Sequence, residues 1–143
     1  MLLRVSDVRG KITQNLSTTG GLARKIDQLH GQMSYVMNMI AEGEHQRQDF
    51  KTRVDDARKI ARTVSAFANT DGGRLLIGVK DDGSIAGVNA EEEYHMLTEA
   101  AQAHCRPAVP FDVQVWKAEF RTVLEVQIPR SAGRPHFAET APA

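Results

Sequence analysis

The sequence predicts one α/β domain, layered around a mixed sheet of about five or six strands with two or three packed helices, preceded by an amino-terminal helix. Three observations carry this. The apolar run Leu75-Leu76-Ile77-Gly78-Val79 is bounded by turn residues on both sides, as in a central strand covered on both faces. Residues 22–40 and 57–68 repeat apolar side chains at helical spacing, and residues 111–116 and 122–128 alternate as paired strands do. A chain of 143 residues has material for one core and too little for two.

Taken in order, residues 1–21 are polar and aperiodic and end in Ser17-Thr18-Thr19-Gly20-Gly21, which reads as a flexible arm with a turn or helix start at its end. The helix expected over 22–41 sets Leu22, Ile26, Leu29, Met33, Val36 and Ile40 at alternating steps of four and three, a single seam down one face. That seam needs cover. Its own domain supplies it in the simpler reading; a homodimer through residues 22–40 supplies it in the other. Glu42-Gly43-Glu44 ends the helix, and the body of the domain is expected over 42–137.

Residues 47–51 alternate charge and ring as a short strand. Asp55 or Asp56 then offers an N-cap oxygen to a helix with Ala57, Ile60, Ala61, Val64, Phe67 and Ala68 on its buried face, and Asn69 suits a left-handed position after its end. After the central strand, Lys80-Asp81-Asp82-Gly83 predicts a tight turn, with residues 84–88 returning antiparallel as a hairpin. Asn89 caps a third helix that Pro107 and Pro110 stop, the strands at 111–116 and 122–128 follow, and residues 138–143 form a tail.

Composition narrows the function. One cysteine excludes an internal disulfide and any Cys-rich zinc site, and no segment is apolar enough to cross a membrane or to serve as a secretory leader, so a reduced, cytoplasmic protein is expected. The formal net charge is zero. Arg4, Arg9, Lys11, Arg24 and Lys25 against Asp7 and Asp27 give residues 1–40 a net +3 and leave −3 for the rest. Any polyanion must therefore be bound through a local patch.

The segments 44–51 and 63–83, the latter reading Thr63-Val64-Ser65-Ala66-Phe67-Ala68-Asn69-Thr70-Asp71-Gly72-Gly73 and on to Gly83, resemble the Schlafen AlbA_2 family. With Gly87-Val88 and Arg134-Pro135-His136-Phe137, the resemblance covers roughly residues 36–137. It implies a DNA- or RNA-binding module of the kind found in transcriptional regulators. Some members have been labelled divergent ATPases, which implies ATP binding. The chain has no Gly-x-x-x-x-Gly-Lys-Ser/Thr, so a P-loop is absent and ATP rests on the resemblance alone.

The resemblance also implies an acid set. In nuclease members three acids hold a divalent ion, and the matching positions here are Glu44, Asp49 and Asp81. Carboxylate oxygens suit Mg²⁺ or Mn²⁺, and such an ion supports phosphodiester cleavage, so a metal-dependent endoribonuclease is the second reading. Two departures stand out: Asp49 is a methylene shorter than the family's Glu, and Lys80 replaces an acid beside Asp81. Without an ion, Glu44 reads as a solvated helix-end residue, Asp49 as an ion-pair partner and Asp81 as a turn residue.

For nucleic acid the candidate contacts are Lys51, Arg53, Arg74, Lys80, Arg106, Arg130 and Arg134, expected to gather beside the Gly72-Gly73 bend; singly, each is also what a solvated strand edge carries. The loop residues Asn69, Thr70, Gly72 and Gly73 read first as a turn, because a phosphate cradle wants a helix beginning where this one ends. Trp116 and Phe120 lie near a hairpin tip, where packing is expected ahead of base stacking. A third function class, a protein-interaction domain, completes the readings.

Overall fold

The computed structural model describes residues 15–139, with side chains from residue 21 onward. Residues 1–14 of the expected arm and 140–143 of the expected tail lie outside the described residues. Helix α1 (Asn15–Glu42) leads into strand β1 (Gln48–Lys51), helix α2 (Ala57–Asn69) and strand β2 (Gly73–Ile77). Helix α3 (Ala90–Thr98) runs on through a π-helical turn (Glu99–Ala103) into strand β3 (Cys105–Arg106). The hairpin β4 (Asp112–Ala118) and β5 (Arg121–Ile128) follows, then β6 (Phe137–Ala138).

The expected mixed sheet has four strands in the order β1-β2-β5-β4, and the remaining two, β3 and β6, pair separately. β1 runs parallel to β2, and β5 lies antiparallel to both β2 and β4. Because successive side chains of a strand point to opposite faces, β2 feeds two cores. Leu75 and Ile77 join Ile60, Val64 and Phe67 of α2 with Leu97 of α3, while Leu76 joins Val36 and Met39 of α1 with Phe50 and Trp116. α1 therefore covers one face of the sheet and α2 with α3 the other.

Helix α2 starts where the sequence placed it: Asp56 is extended and its side chain accepts from the Arg58 amide. Asn89 caps α3 in the same way through the Glu92 amide. Four expectations need correction, three of them at element ends. The arm was placed over 1–21, but α1 already begins at Asn15. Asn69 remains within α2, and the left-handed residue after it is Gly72, with φ +81°. The tail was placed from 138, but Ala138 pairs with Cys105.

The hairpin expected over 84–88 does not form: the return strand is reduced to one bridge, Val79 with Ile85. Gly78 is the reason. At φ +104° it bends the chain just after its amide makes the last ladder bond to Lys51 O, and the returning amides of Ala86 and Gly87 reach only Gly78 O. β2 thereby gives its second edge to β5, arriving from far along the chain.

The carboxyl end of α2 and the last segment are clasped together. Asn69 Nδ2 donates to His136 O, His136 N donates to Asn69 Oδ1 at 2.7 Å, and His136 is buried with Nδ1 on Pro107 O and Nε2 on Ser131 Oγ. A Cβ on Gly72 would lie 2.7 Å from Ile128 O and 2.9 Å from Arg130 N, both backbone atoms. Gly72→Ala therefore meets a forbidden contact and an unfavourable φ together, and should cost about 2–4 kcal/mol. Gly31 lies inside α1 with open space around it, so Gly31→Ala should stabilise by about 0.5–1 kcal/mol. Urea denaturation checks both, and equal midpoints would refute the account of the bend.

Candidate nucleic-acid interface and acidic cluster

The seven candidate cations do not gather at the Gly72-Gly73 bend. Arg74, at the start of β2, is committed to the fold. Its Nε donates to Gln48 Oε1 at 2.6 Å, one Nη pairs with Glu42 at 3.0 Å and the other lies 3.9 Å from Glu125. The cleft beside the bend, of about 510 Å³, is lined by Glu42, Asp71, Asp112 and Glu125 against Arg47 and Arg74. Acids dominate it, and a phosphate backbone would be repelled there. The loop residues are equally occupied: Thr70 Oγ1 donates to Ala66 O, and the Gly72 amide donates to Phe67 O.

Glu125 is the residue that sequence reasoning missed. It sits in mid-β5, 1% exposed, on the face that α1 covers. Trp116 Nε1 donates to it at 2.9 Å, Tyr35 Oη at 3.1 Å and Gln127 Nε2 at 3.0 Å. Burial and the Glu125 carboxylate push the Tyr35 hydroxyl above its ordinary pKa, while His45 and Arg74 hold Glu42 below its own. The one sequence signal was register: Glu125 shares its strand face with Val123, which pairs with Trp116.

The other cations lie at two ends of the fold. Lys51 ends β1, Arg53 follows it, and Lys80 follows the point where the Gly78 and Val79 amides bond to Lys51 O. These three share the carboxyl end of the parallel pair, the edge at which open α/β sheets bind ligands. Arg130 and Arg134 flank the exposed turn after β5, at the opposite end of β2, and Arg106 folds back onto the carbonyls of residues 102, 103 and 105. Arg53, Lys80, Arg130 and Arg134 are exposed and have no ion-pair partner among the described residues.

Two of the three acids come together along the open edge of β1. Glu44 Oε2 accepts from the Phe50 amide at 3.2 Å, which satisfies the open edge of β1 and brings Glu44 to Asp49. A hydrogen bond with Asp49, burial, and the charges of Asp49 and Asp81 together hold the Glu44 carboxyl above its ordinary pKa. Both line a groove of about 660 Å³ between β1 and Thr63 and Phe67 of α2, with Thr70 just past the end of that helix. Asp81 is exposed and acts on the pair through its field; the turn beside it is held by Asp82, which accepts from the Ser84 amide and hydroxyl and is acidified by them.

A divalent ion is not accommodated by this arrangement. Among the described residues no three Asp, Glu, His or Cys side chains stand together closely enough to hold one. Lys51 Nζ, 3.4 Å from Asp49 Oδ2, already places a cation against an oxygen an ion would use. The aromatic candidates also divide: Trp116 is buried against Tyr35, with ring centroids 4.6 Å apart, whereas Phe120 is fully exposed. Among the described residues no helix is long and apolar enough to cross a membrane.

The family description "Schlafen, AlbA_2" matches residues 44–141. Among solved structures, the chain is similar to the N-terminal domain of a protein described as ATP-dependent DNA helicase RecG-related, from Nitrosomonas europaea. That TM-score is 0.58 at 19% identity, covering 78% of this chain and 82% of that one. The DIP2311 protein from Corynebacterium diphtheriae gives a TM-score of 0.52 at 23% identity over 80% of this chain and 24% of that one, so this chain spans about a quarter of DIP2311. At these identities the likeness is one of fold.

The Glu44–Asp49 pair sets a pH dependence. A folded-state pKa above the ordinary carboxylate value means that the pair favours folding while Glu44 is protonated, and that this contribution is lost as pH rises through the raised value. In Glu44→Gln the amide oxygen still accepts from Phe50 and the amide nitrogen donates to Asp49. The variant should therefore melt higher than the wild type near pH 7, by a margin that closes towards pH 4. A margin that stays constant over that range in a thermal scan would refute the raised pKa of Glu44.

Proposed function

The chain belongs to the Schlafen AlbA_2 family, and from that premise we propose that it is a nucleic-acid-binding module that grips phosphates at the carboxyl end of β1 and β2. The observation that supports it is the placement of Lys51, Arg53 and Lys80 at that edge, with Arg53 and Lys80 exposed and outside any ion pair among the described residues. Arg130 and Arg134 form a second, smaller basic group at the other end of β2. The fold neighbour from Nitrosomonas europaea, described as DNA helicase-related, is in keeping with this reading.

Electrostatics sets the expected behaviour. With about three phosphates neutralised per edge, log affinity should fall with log salt at a slope near −2 to −3. Contacts of this kind position a backbone and read no bases, so specificity should be slight. In a fluorescence anisotropy titration against single-stranded and duplex DNA and RNA, the Arg53→Ala, Lys80→Ala double variant should bind at least about tenfold more weakly, with a shallower slope. The Arg130→Ala, Arg134→Ala variant should lose less. Failure of the wild type to bind any of the four at low salt would overturn the proposal.

A further inference from the structure

The outer face of the small β3–β6 ladder carries side chains that neither the core nor the basic edge of the sheet uses. The register sets Arg106 opposite Phe137 and Cys105 opposite Ala138, and the Glu139 amide extends the ladder by donating to His104 O at 2.8 Å. Cys105 is buried and Ala138 packs on the core, so alternation turns His104, Arg106, Phe137 and Glu139 outward together.

On that face the Glu139 carboxylate sits among three basic groups from three segments. Its Oε1 lies 3.3 Å from His104 Nδ1 and 4.0 Å from Arg58 Nη2 of α2, and its Oε2 lies 3.9 Å from Arg106 Nη2. Other contacts hold the basic groups in place. Arg106 Nη1 donates to the carbonyls of Ala103 and Cys105 at 2.9 and 3.1 Å, and His104 Nε2 faces Glu99 at 3.3 Å. The carboxylate is a loose fit by comparison, because both guanidiniums stand beyond hydrogen-bond reach of it. A tetrahedral oxyanion is wider and has an oxygen for each of the three.

Phe137 is an independent observation at the same place. Its side chain is 66% exposed, and it lies directly across the ladder from Arg106, itself 65% exposed. Opposite residues of an antiparallel pair have Cβ atoms about 4.5–5.5 Å apart. A bare aromatic ring thus adjoins the basic group, and charge beside an open ring is how proteins hold the phosphate and the base of an unpaired nucleotide.

We propose that Arg58, His104, Arg106 and Phe137 form a binding site for a nucleotide unit, the basic groups taking its phosphate and the ring its base, with Glu139 occupying the phosphate position until the unit displaces it. A free nucleotide and one unit of a single strand present the same chemistry here. With Glu139 in place the two guanidiniums are offset by Glu99 and Glu139; with it turned aside the group is cationic. Rotating that one side chain outward vacates the position and leaves the backbone bond to His104 intact. Because the competing carboxylate is tethered, its effective concentration is high and the wild-type site is weak. The site shares no residue with the edge of Lys51, Arg53 and Lys80, so neither reading depends on the other.

Nuclear magnetic resonance titration of the full chain with adenosine monophosphate, with inorganic phosphate and with a single-stranded hexanucleotide tests this. Glu139→Gln should bind the monophosphate or the hexanucleotide at least about tenfold more tightly than the wild type does. In that background Arg58→Ala or Arg106→Ala should reverse the gain, and Phe137→Ala should weaken both nucleotide probes while leaving inorganic phosphate unchanged. The Arg53→Ala, Lys80→Ala double variant should bind the monophosphate as the wild type does, which keeps this site distinct from the sheet edge. A larger gain for the monophosphate supports a free nucleotide as the ligand, and a larger gain for the hexanucleotide supports a strand. Glu139→Gln binding neither nucleotide probe more tightly than the wild type, or Phe137→Ala weakening inorganic phosphate as much as the monophosphate, overturns the proposal.

Discussion

The buried carboxylate of Glu125 is the constraint from which much of this structure follows. A carboxyl group in the interior is costly unless its oxygens are hydrogen-bonded, so the residues around it have fixed duties. Trp116 must turn its ring nitrogen inward, Tyr35 must bring its hydroxyl from α1, and Arg74 must face the same point from β2. Gln48 orients Arg74 and also binds the carbonyls of Met39 and Gly43, which ties the end of α1 to β1. The carboxyl-terminal half of α1 is thus held by polar bonds as well as by Val36 and Met39, and a fully satisfied network of this kind specifies a single arrangement.

This constraint also separates what could be read in the sequence from what could not. Periodicity showed the helices, the central strand and the last hairpin, because burial of one face writes itself into local spacing. Caps were legible for the same local reason, at Asp56 and Asn89. The partner of β2 was not: Gly78 ends its ladder locally, and the open edge is filled by a strand whose pairing residues begin at Arg121. Arg74 looked like a phosphate contact because a cation beside two glycines carries no local sign that Glu42, Gln48 and Glu125 will enclose it. Glu44 and Asp49 were singled out through family likeness, and their contact arises because Glu44 bonds the Phe50 amide on the open edge of β1.

Charge is distributed so that the two ends of the sheet differ in kind. The cleft at the Gly72 bend collects acids, since Glu125 and its partners open towards it with Asp71 and Asp112 on the rim. The opposite edge carries Lys51, Arg53 and Lys80 with Asp81, and Lys51 reaches back to Asp49, which lies beside Glu44 along the open edge of β1. In that mixture the acids do more than dilute the cations. Protonation of Glu44, whose pKa is raised beside Asp49, removes one negative charge, so the local field becomes more attractive to phosphate as pH falls towards that raised value. Lys51, already against Asp49, is the cation least available for a ligand.

A neutral chain with about three useful cations at one edge cannot hold a polyanion tightly at physiological salt, because each phosphate contact is worth little once counterions compete.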